Sequence, residues 1–411
     1  MAATATLKTT AGAFVPRTAF EVSSQITRSY FLGHHTAALS SMRKVLSNIG
    51  LILECRDSRV PLTSANPLLE SSLAGRDRII VYTKSDLCAP ATSNRWIEKQ
   101  QRLLAEWHTP HTQIGEGSVG VGGGRTQVVF TDERNARTVS RLLDAVKERA
   151  VAQDSLVGLR ALVVGMPNAG KSTLLNALRR VGMHKPKAAR TGAQPGITRK
   201  LSTPVRIVAA SPPLSPASSS SSSSDKNAYI KPTPHPTSSY SYEHDVGEGI
   251  FVVDTPGVFV PYVSDVESML KLSLVGCVKD GLVPSETVAD YMLFLLNRRD
   301  PSLYAHICDT PTNDIREFLD AVARRTGKLL KGGVPAREQA ADWVVQQWRR
   351  GLLGRFGLDD VTEDGLKERA RRRREQGDKS PLSMNQARKR EKEARKVKNA
   401  AKRATALDSG A

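Results

Sequence analysis

Cysteine is scarce in this chain, and the four present, Cys55, Cys88, Cys277 and Cys308, are widely scattered. No C-x-x-C pair occurs and no histidine stands at metal spacing beside them, which argues against a disulfide scaffold or a zinc site and leaves reduced thiols. His108 and His111 in "EWHTPHTQ" have no third ligand nearby and read as ordinary loop histidines. Long apolar runs are missing as well: no stretch approaches the ~18 to 20 residues that cross a bilayer, so no transmembrane helix is expected and any membrane contact is peripheral. Acids are nearly absent from residues 1–28, where Glu21 stands alone against Lys8, Arg17 and Arg28 among many Ala, Thr and Ser. With no long apolar core, that composition argues against secretion and fits an organellar transit peptide or a disordered leader.

Positive charge is what the chain has in excess. The formal net charge is +19 over 411 residues, and from Leu366 to Arg403 there are 16 Lys/Arg against 5 Asp/Glu, a net of +11. Charge so concentrated suits a polyanionic partner, because each neutralised phosphate releases condensed counterions; a solvated, solubilising tail fits the charge equally well. A hydrophobic fraction of 39% at this length allows two domains with real cores.

Apolar, β-branched runs recur at "LILEC" (51–55), "RIIVY" (78–82), "TQVVF" (126–130), "LRALVVG" (159–165), "PVRIV" (204–208) and "GIFVVD" (249–254). Helical patterns fall between several of them, notably "ARTVSRLLDAVKERA" with Val139, Leu142, Leu143 and Val146 on one face. The alternation predicts an α/β fold, a mostly parallel sheet with helices on both faces. A Gly-rich segment (115–125) and a Ser/Pro-rich one (210–248) interrupt it as flexible insertions. Beyond Pro261 only helices are expected, among them "SETVADYMLFLLNRR" (285–299) and "PAREQAADWVVQQWRRG" (335–351), the latter with Ala341, Val344, Val345 and Trp348 on one face.

Chemistry concentrates in "GMPNAGKST", a G-x-x-x-x-G-K-[ST] loop between a strand and an amphipathic helix, as that motif requires. Gly165 and Gly170 allow the tight turn. The backbone of Asn168, Ala169, Gly170 and Thr173 cradles phosphate, Lys171 reaches the terminal phosphates, and the Ser172 hydroxyl ligates Mg²⁺. Downstream, "VVDTPGV" ends a strand at Asp254, whose carboxylate serves the Mg²⁺ shell, while Gly257 lets its N–H approach a γ-phosphate. Between them, Thr198 in "AQPGITRK" supplies a hydroxyl that can cap the ion. In "IIVYTKSDL" the Asp86 carboxylate can accept from N1–H and the N2 amino group of guanine, and the Lys84 stem can lie over the base. An N-cap aspartate after a strand would look similar.

"YFLGHHTAALSSMRKVL", "DSRVPLTSANP" (57–67), "TKSD", "GMPNAGKST", "PGITR" and "DTPG" stand in the order found in the circularly permuted GTPases of the YlqF type, which this chain resembles over roughly residues 29–355. In that family the guanine-reading segment precedes the phosphate loop. The resemblance is strongest to its mitochondrial, ribosome-associated members.

The resemblance implies a permuted Ras-like G domain (29–262), a helical RNA- or ribosome-contacting domain (263–358) and a basic tail (359–411) after a leader (1–28). It implies a monomeric GTPase that binds GTP and GDP with Mg²⁺, slow without a partner, assisting assembly of the mitochondrial large subunit through its rRNA, on the matrix side with at most peripheral inner-membrane contact. Val258 stands where Ras-like enzymes have a catalytic Gln; the family histidine matched by His34 takes that role, although Leu32 and His35 replace the family Pro and Met and the two histidines could exchange roles. Asn168 matches a K⁺-binding position. Thr83 replaces the usual Asn that bonds guanine N7 and braces neighbouring loops, so a weaker or more mobile base site is expected. A GTP-regulated RNA-binding scaffold with vestigial hydrolysis, or a nucleolar or cytosolic ribosome-assembly GTPase, fits the same motifs.

Overall fold

The computed structural model describes residues 14–22, 26, 33–89, 94–108, 124–153, 157–192, 198, 201–210, 246–260, 262, 263, 265–376, 386, 389, 392 and 393. Six strands form one sheet: β1 (Leu51–Asp57), β2 (Arg78–Thr83), β3 (Thr126–Phe130), β4 (Leu159–Gly165), β5 (Val205–Val208) and β6 (Ile250–Asp254), in the order β3-β2-β1-β4-β6-β5. All neighbours are parallel except β5, which runs antiparallel to β6 on the far edge. β1 is buried along its whole length, which is why its sequence is a continuous apolar run interrupted only by paired charges.

Side chains of β1 alternate between the faces. Leu51, Leu53 and Cys55 join the core under α4 (Ala136–Gln153) and α5 (Lys171–Met183), while Ile52 packs beneath α1 (Gly33–Val45) and α2 (Pro67–Ser72). Helix α3 (Asn94–His108) covers Ile80 and Tyr82 near the β3 edge through Leu103 and Leu104. The order matters for function because the carboxyl ends of β1, β2, β4 and β6 all open on the same edge, where ligands of open α/β sheets bind.

After β6 the chain is helical. Helices α6 (Val266–Leu274), α7 (Ser285–Arg299), α8 (Ile315–Thr326) and α9 (Arg337–Arg349) share one core, to which Ala341, Val344, Val345 and Trp348 contribute as their spacing predicts. Asp265 and Asp314 cap the starts of α6 and α8, and Gly327 ends α8 at φ +70°, a left-handed turn that glycine adopts without strain. The four cysteines are buried free thiols. Among the described residues no helix is long and apolar enough to cross a membrane, and no cluster of metal-binding side chains of the His/Cys/acid type occurs.

The described parts of the expected leader and tail pack against the folded body. Within the expected leader, Arg17 pairs with Asp290 of α7 at 2.5 Å, Phe20 lies edge-on to Tyr291 with centroids 5.2 Å apart, and Ile26 is buried in the helical core. At the other end, Asp359 accepts from Leu62 N (2.8 Å) and Thr63 N (2.7 Å), and Val361 and Leu366 pack with Leu62, Ile80 and Tyr82. The expected tail therefore begins as part of the G domain and continues as a helix, α10 (Glu363–Gln376), rich in exposed arginine. Apart from their ends, the two expected insertions lie outside the described residues.

Candidate functional site

The site begins with Asp57, at the end of β1. Its carboxylate accepts from Arg59 Nε (3.0 Å) and Nη2 (2.8 Å) and from Lys84 Nζ (2.9 Å). Burial alone pushes the carboxyl up, but the Arg59 and Lys84 cations outweigh it and hold the group well below the usual carboxylate range. Ser58 Oγ donates to Thr83 O at 2.6 Å, and Asn66 Nδ2 donates to Val258 O at 2.9 Å while its Oδ1 caps α2. The stretch "DSRVPLTSANP" is thus a brace that ties the end of β2 to the turn after β6.

At the base end, Lys84 sits in the left-handed region (φ +56°) and its ammonium also donates to Asn168 O at 2.8 Å. Its stem is drawn along the wall of the cavity, where it can cover a purine. Thr83 Oγ1 donates to Ala169 O at 2.8 Å, so the hydroxyl still braces the phosphate loop. A bracing contact on the phosphate loop is thus present without the usual amide. Asp86 is half-buried, and burial, with Asp132 and Glu133 close by, raises its carboxyl. Cationic N–H donors or a guanine amidine edge would offset that cost.

At the phosphate end, Gly165 (φ +144°), Asn168 (φ +55°) and Gly170 (φ +84°) bend the loop from β4 into α5. A Cβ on Gly165 would stand 2.3 Å from Cys55 O, so the neighbouring strand enforces glycine there. Lys171 Nζ donates to Met166 O (2.7 Å) and Gly165 O (3.3 Å), and burial lowers its affinity for a proton. A phosphate would replace those carbonyl contacts with charge-assisted ones.

Three oxygens converge beside it. Ser172 Oγ donates to Asp254 Oδ2 at 2.5 Å and lies 3.2 Å from Thr198 Oγ1, while Asp254 Oδ1 is buried with no hydrogen-bond partner among the described residues. Burial raises the Asp254 carboxyl, with Ser172 pulling it back. Two hydroxyls and a carboxylate with an unmet oxygen are hard donors suited to Mg²⁺. When bound, the ion would supply positive charge to offset that of the phosphates.

The γ-phosphate turn is held close to the loop: a Cβ on Gly257 would stand 2.6 Å from Pro167 Cα, and Val258 N donates to Gly165 O at 3.1 Å. His34 lies in the first turn of α1, but its side chain is outside the described residues. Its neighbour His35 is buried, with Nδ1 3.0 Å from Gly257 O and 3.4 Å from Phe259 N. The start of α1 is therefore anchored on the turn by a residue that departs from the family pattern.

Lys84, Asp86, Asn168, Gly170, Lys171, Ser172, Thr173, Thr198 and Gly257 surround one cavity of about 340 Å³, with Thr83, Ala169 and Asp254 buried behind its wall. Motif reading missed four parts of the lining: Arg190 to Gly192 after α5, Val275 and Gly276 after α6, and two others. Glu133 and Arg134 follow β3, whose carboxyl end opens on the same edge as the motifs; that parallel-sheet rule was the available signal. Gln346, Arg349 and Arg350 come from the end of α9, and no local pattern announces them.

A phosphate loop, a hard-cation site and a carboxylate at the base end, strung on a sheet in which the base-reading strand precedes the phosphate loop, define a circularly permuted P-loop GTPase. The chain shares 35% identity over 361 residues with Mitochondrial GTPase 1 of Schizosaccharomyces pombe, covering 86% of this chain and 95% of that one. It is 28% identical over 361 residues to Mitochondrial ribosome-associated GTPase 1 of Xenopus tropicalis, covering 84% and 98%. The family described as 50S ribosome-binding GTPase matches residues 160–213. A solved structure, GNP-bound YlqF from T. maritima, aligns with 79% of this chain and 98% of that chain at 19% identity, with a TM-score of 0.42. The chain belongs to the mitochondrial GTPase 1 family and is a GTP-hydrolysing enzyme.

Proposed function

We propose that this GTPase times a step in assembly of the mitochondrial large ribosomal subunit, docking on its rRNA in the GTP state and leaving after hydrolysis. The observation that carries the reading is the continuity between the γ-phosphate turn and the helical domain. Phe259, two residues beyond Gly257, is fully buried in the helical core with Val260 and Val263. A shift of Gly257 on loss of the γ-phosphate would move an element already packed in that core. The relatives' names supply the ribosome and the mitochondrion, and the arginine-rich α10 and the basic residues beyond it supply phosphate contacts.

On this reading the enzyme works as a monomer on the matrix side, with any contact with the inner membrane peripheral, and residues upstream of the docked segment 14–22 serve as its address. His34 orients the attacking water, since the His35 contact seats the start of α1 beside Gly257. A K⁺ ion at Asn168 would use the amide oxygen, because Nδ2 donates to Gly276 O at 2.7 Å. Sedimentation of the protein with purified large subunits tests the docking. Co-migration with a non-hydrolysable GTP analogue but not with GDP supports it, and nucleotide-independent migration refutes it.

A further inference from the structure

The helical domain reaches into the nucleotide cavity. The end of α9 is pinned there from two sides. Arg59, locked to Asp57, lies over the Trp348 ring at 5.0 Å and donates to Arg349 O at 3.4 Å. Gly351, at φ +80°, passes so close to the turn after β2 that a Cβ on it would stand 2.9 Å from Leu87 Cδ2. Leu87 adjoins Asp86, so the chain leaving α9 is set against the base-reading segment.

Two successive arginines in this turn line the cavity with Asp86, and they differ in their commitments. Arg349 is spent on structure: it donates to Ser273 O (2.8 Å), Leu274 O (2.9 Å) and the Asp280 carboxylate (2.8 Å). Arg350 is exposed, and its side chain has no ion pair, hydrogen bond or ring contact among the described residues. A planar guanidinium at the base end of a guanine-nucleotide cavity, on a backbone fixed by its neighbours, suits stacking on a purine face or donation to ribose oxygens.

We infer that Arg350 is a nucleoside-binding residue supplied by the helical domain, so that GTP and GDP are held between the two domains. A contact with the nucleoside half is blind to the γ-phosphate. Nucleotide release then depends on how the helical domain is seated, whichever phosphate state is bound.

The test is equilibrium binding of fluorescent GDP and a fluorescent non-hydrolysable GTP analogue to the full chain. Arg350→Ala should weaken both by a similar factor, roughly three- to thirty-fold from the usual range for a cation over an aromatic ring. Arg350→Lys should recover only part of it, because an ammonium lacks the planar face. Arg325→Ala, which removes an equally exposed charge from α8, should leave both affinities within twofold. Unchanged binding of Arg350→Ala overturns the inference. So does a loss confined to the triphosphate or full rescue by lysine, each of which would place the contact on phosphate, and so does an equal loss in Arg325→Ala, which would mean net charge alone.

Discussion

Asp57→Asn is the substitution that reaches furthest through this molecule. The Asp57 carboxylate is wholly buried, the Arg59 side chain is 2% exposed, and four hydrogen bonds end on the carboxylate, three from the Arg59 and Lys84 side chains and one from Arg59 N. The amide keeps the shape but strands a buried guanidinium without its counter-ion, which costs about 3 to 5 kcal/mol. At about 2 to 4 °C per kcal/mol for a unit of this size, the melting temperature should fall by about 6 to 20 °C. Because the folded carboxyl titrates below its unfolded value of about 3.9, its stabilisation is fully present above that pH and is lost as pH falls through the lower, folded value. The gap between wild type and variant should therefore be flat from about pH 5 to 8 and narrow only in stronger acid. Thermal unfolding across pH measures it, with the double variant Asp57→Asn, Arg59→Met as a partner. Removing both charges should be less damaging than stranding one. A single variant that melts within about 2 °C of wild type, or a double variant that is simply additive, would refute the reasoning.

Three further outcomes are expected. Asp86→Asn should exchange the preferred nucleotide from GTP to xanthosine triphosphate, because an amide can donate to the xanthine 2-oxo group but no longer accepts from the guanine amino group; competition binding reads this, and retained GTP preference would contradict the base assignment. Removal of residues 1–28 should lower the melting temperature while removal of 1–13 should not, since Arg17, Phe20 and Ile26 belong to the helical core surface. Phe20→Ala alone should cost about 1 to 2 kcal/mol by calorimetry, and equal melting of all three forms would count against a structural role for that segment. His34→Ala should slow subunit-stimulated hydrolysis severalfold with GTP affinity intact, measured as kcat against Kd; unchanged turnover would remove the histidine from the reaction.

Most of the G domain was legible in the sequence because its signals are local. A buried parallel strand reads as an apolar run, and "TQVVF" and "LRALVVG" became β3 and β4 with their predicted limits. The phosphate loop and "DTPG" are likewise short patterns whose backbone geometry demands particular residues. What escaped were contacts between residues far apart in the chain. Asp359 caps Leu62 and Thr63, Arg350 lines the cavity of Asp86, and Phe20 docks on Tyr291; no periodicity connects such partners. Thr83 shows a different limit. Its departure from the usual Asn is visible in the sequence, but the reach of the shorter side chain to Ala169 O is not. His35 is a second case, a departure from the family pattern that acquired a buried contact with Gly257.

Val258 stands where Ras-like enzymes carry a water-orienting Gln and is buried and bonded to Gly165, so we propose that docking on the ribosomal subunit speeds hydrolysis. Steady-state GTP hydrolysis with and without purified mitochondrial large subunits, across a salt series, addresses it directly. Turnover should be slow alone, rise at least about tenfold with subunits, and lose that stimulation steeply as salt displaces the phosphate contacts. Turnover that is the same with and without subunits at low salt would contradict it.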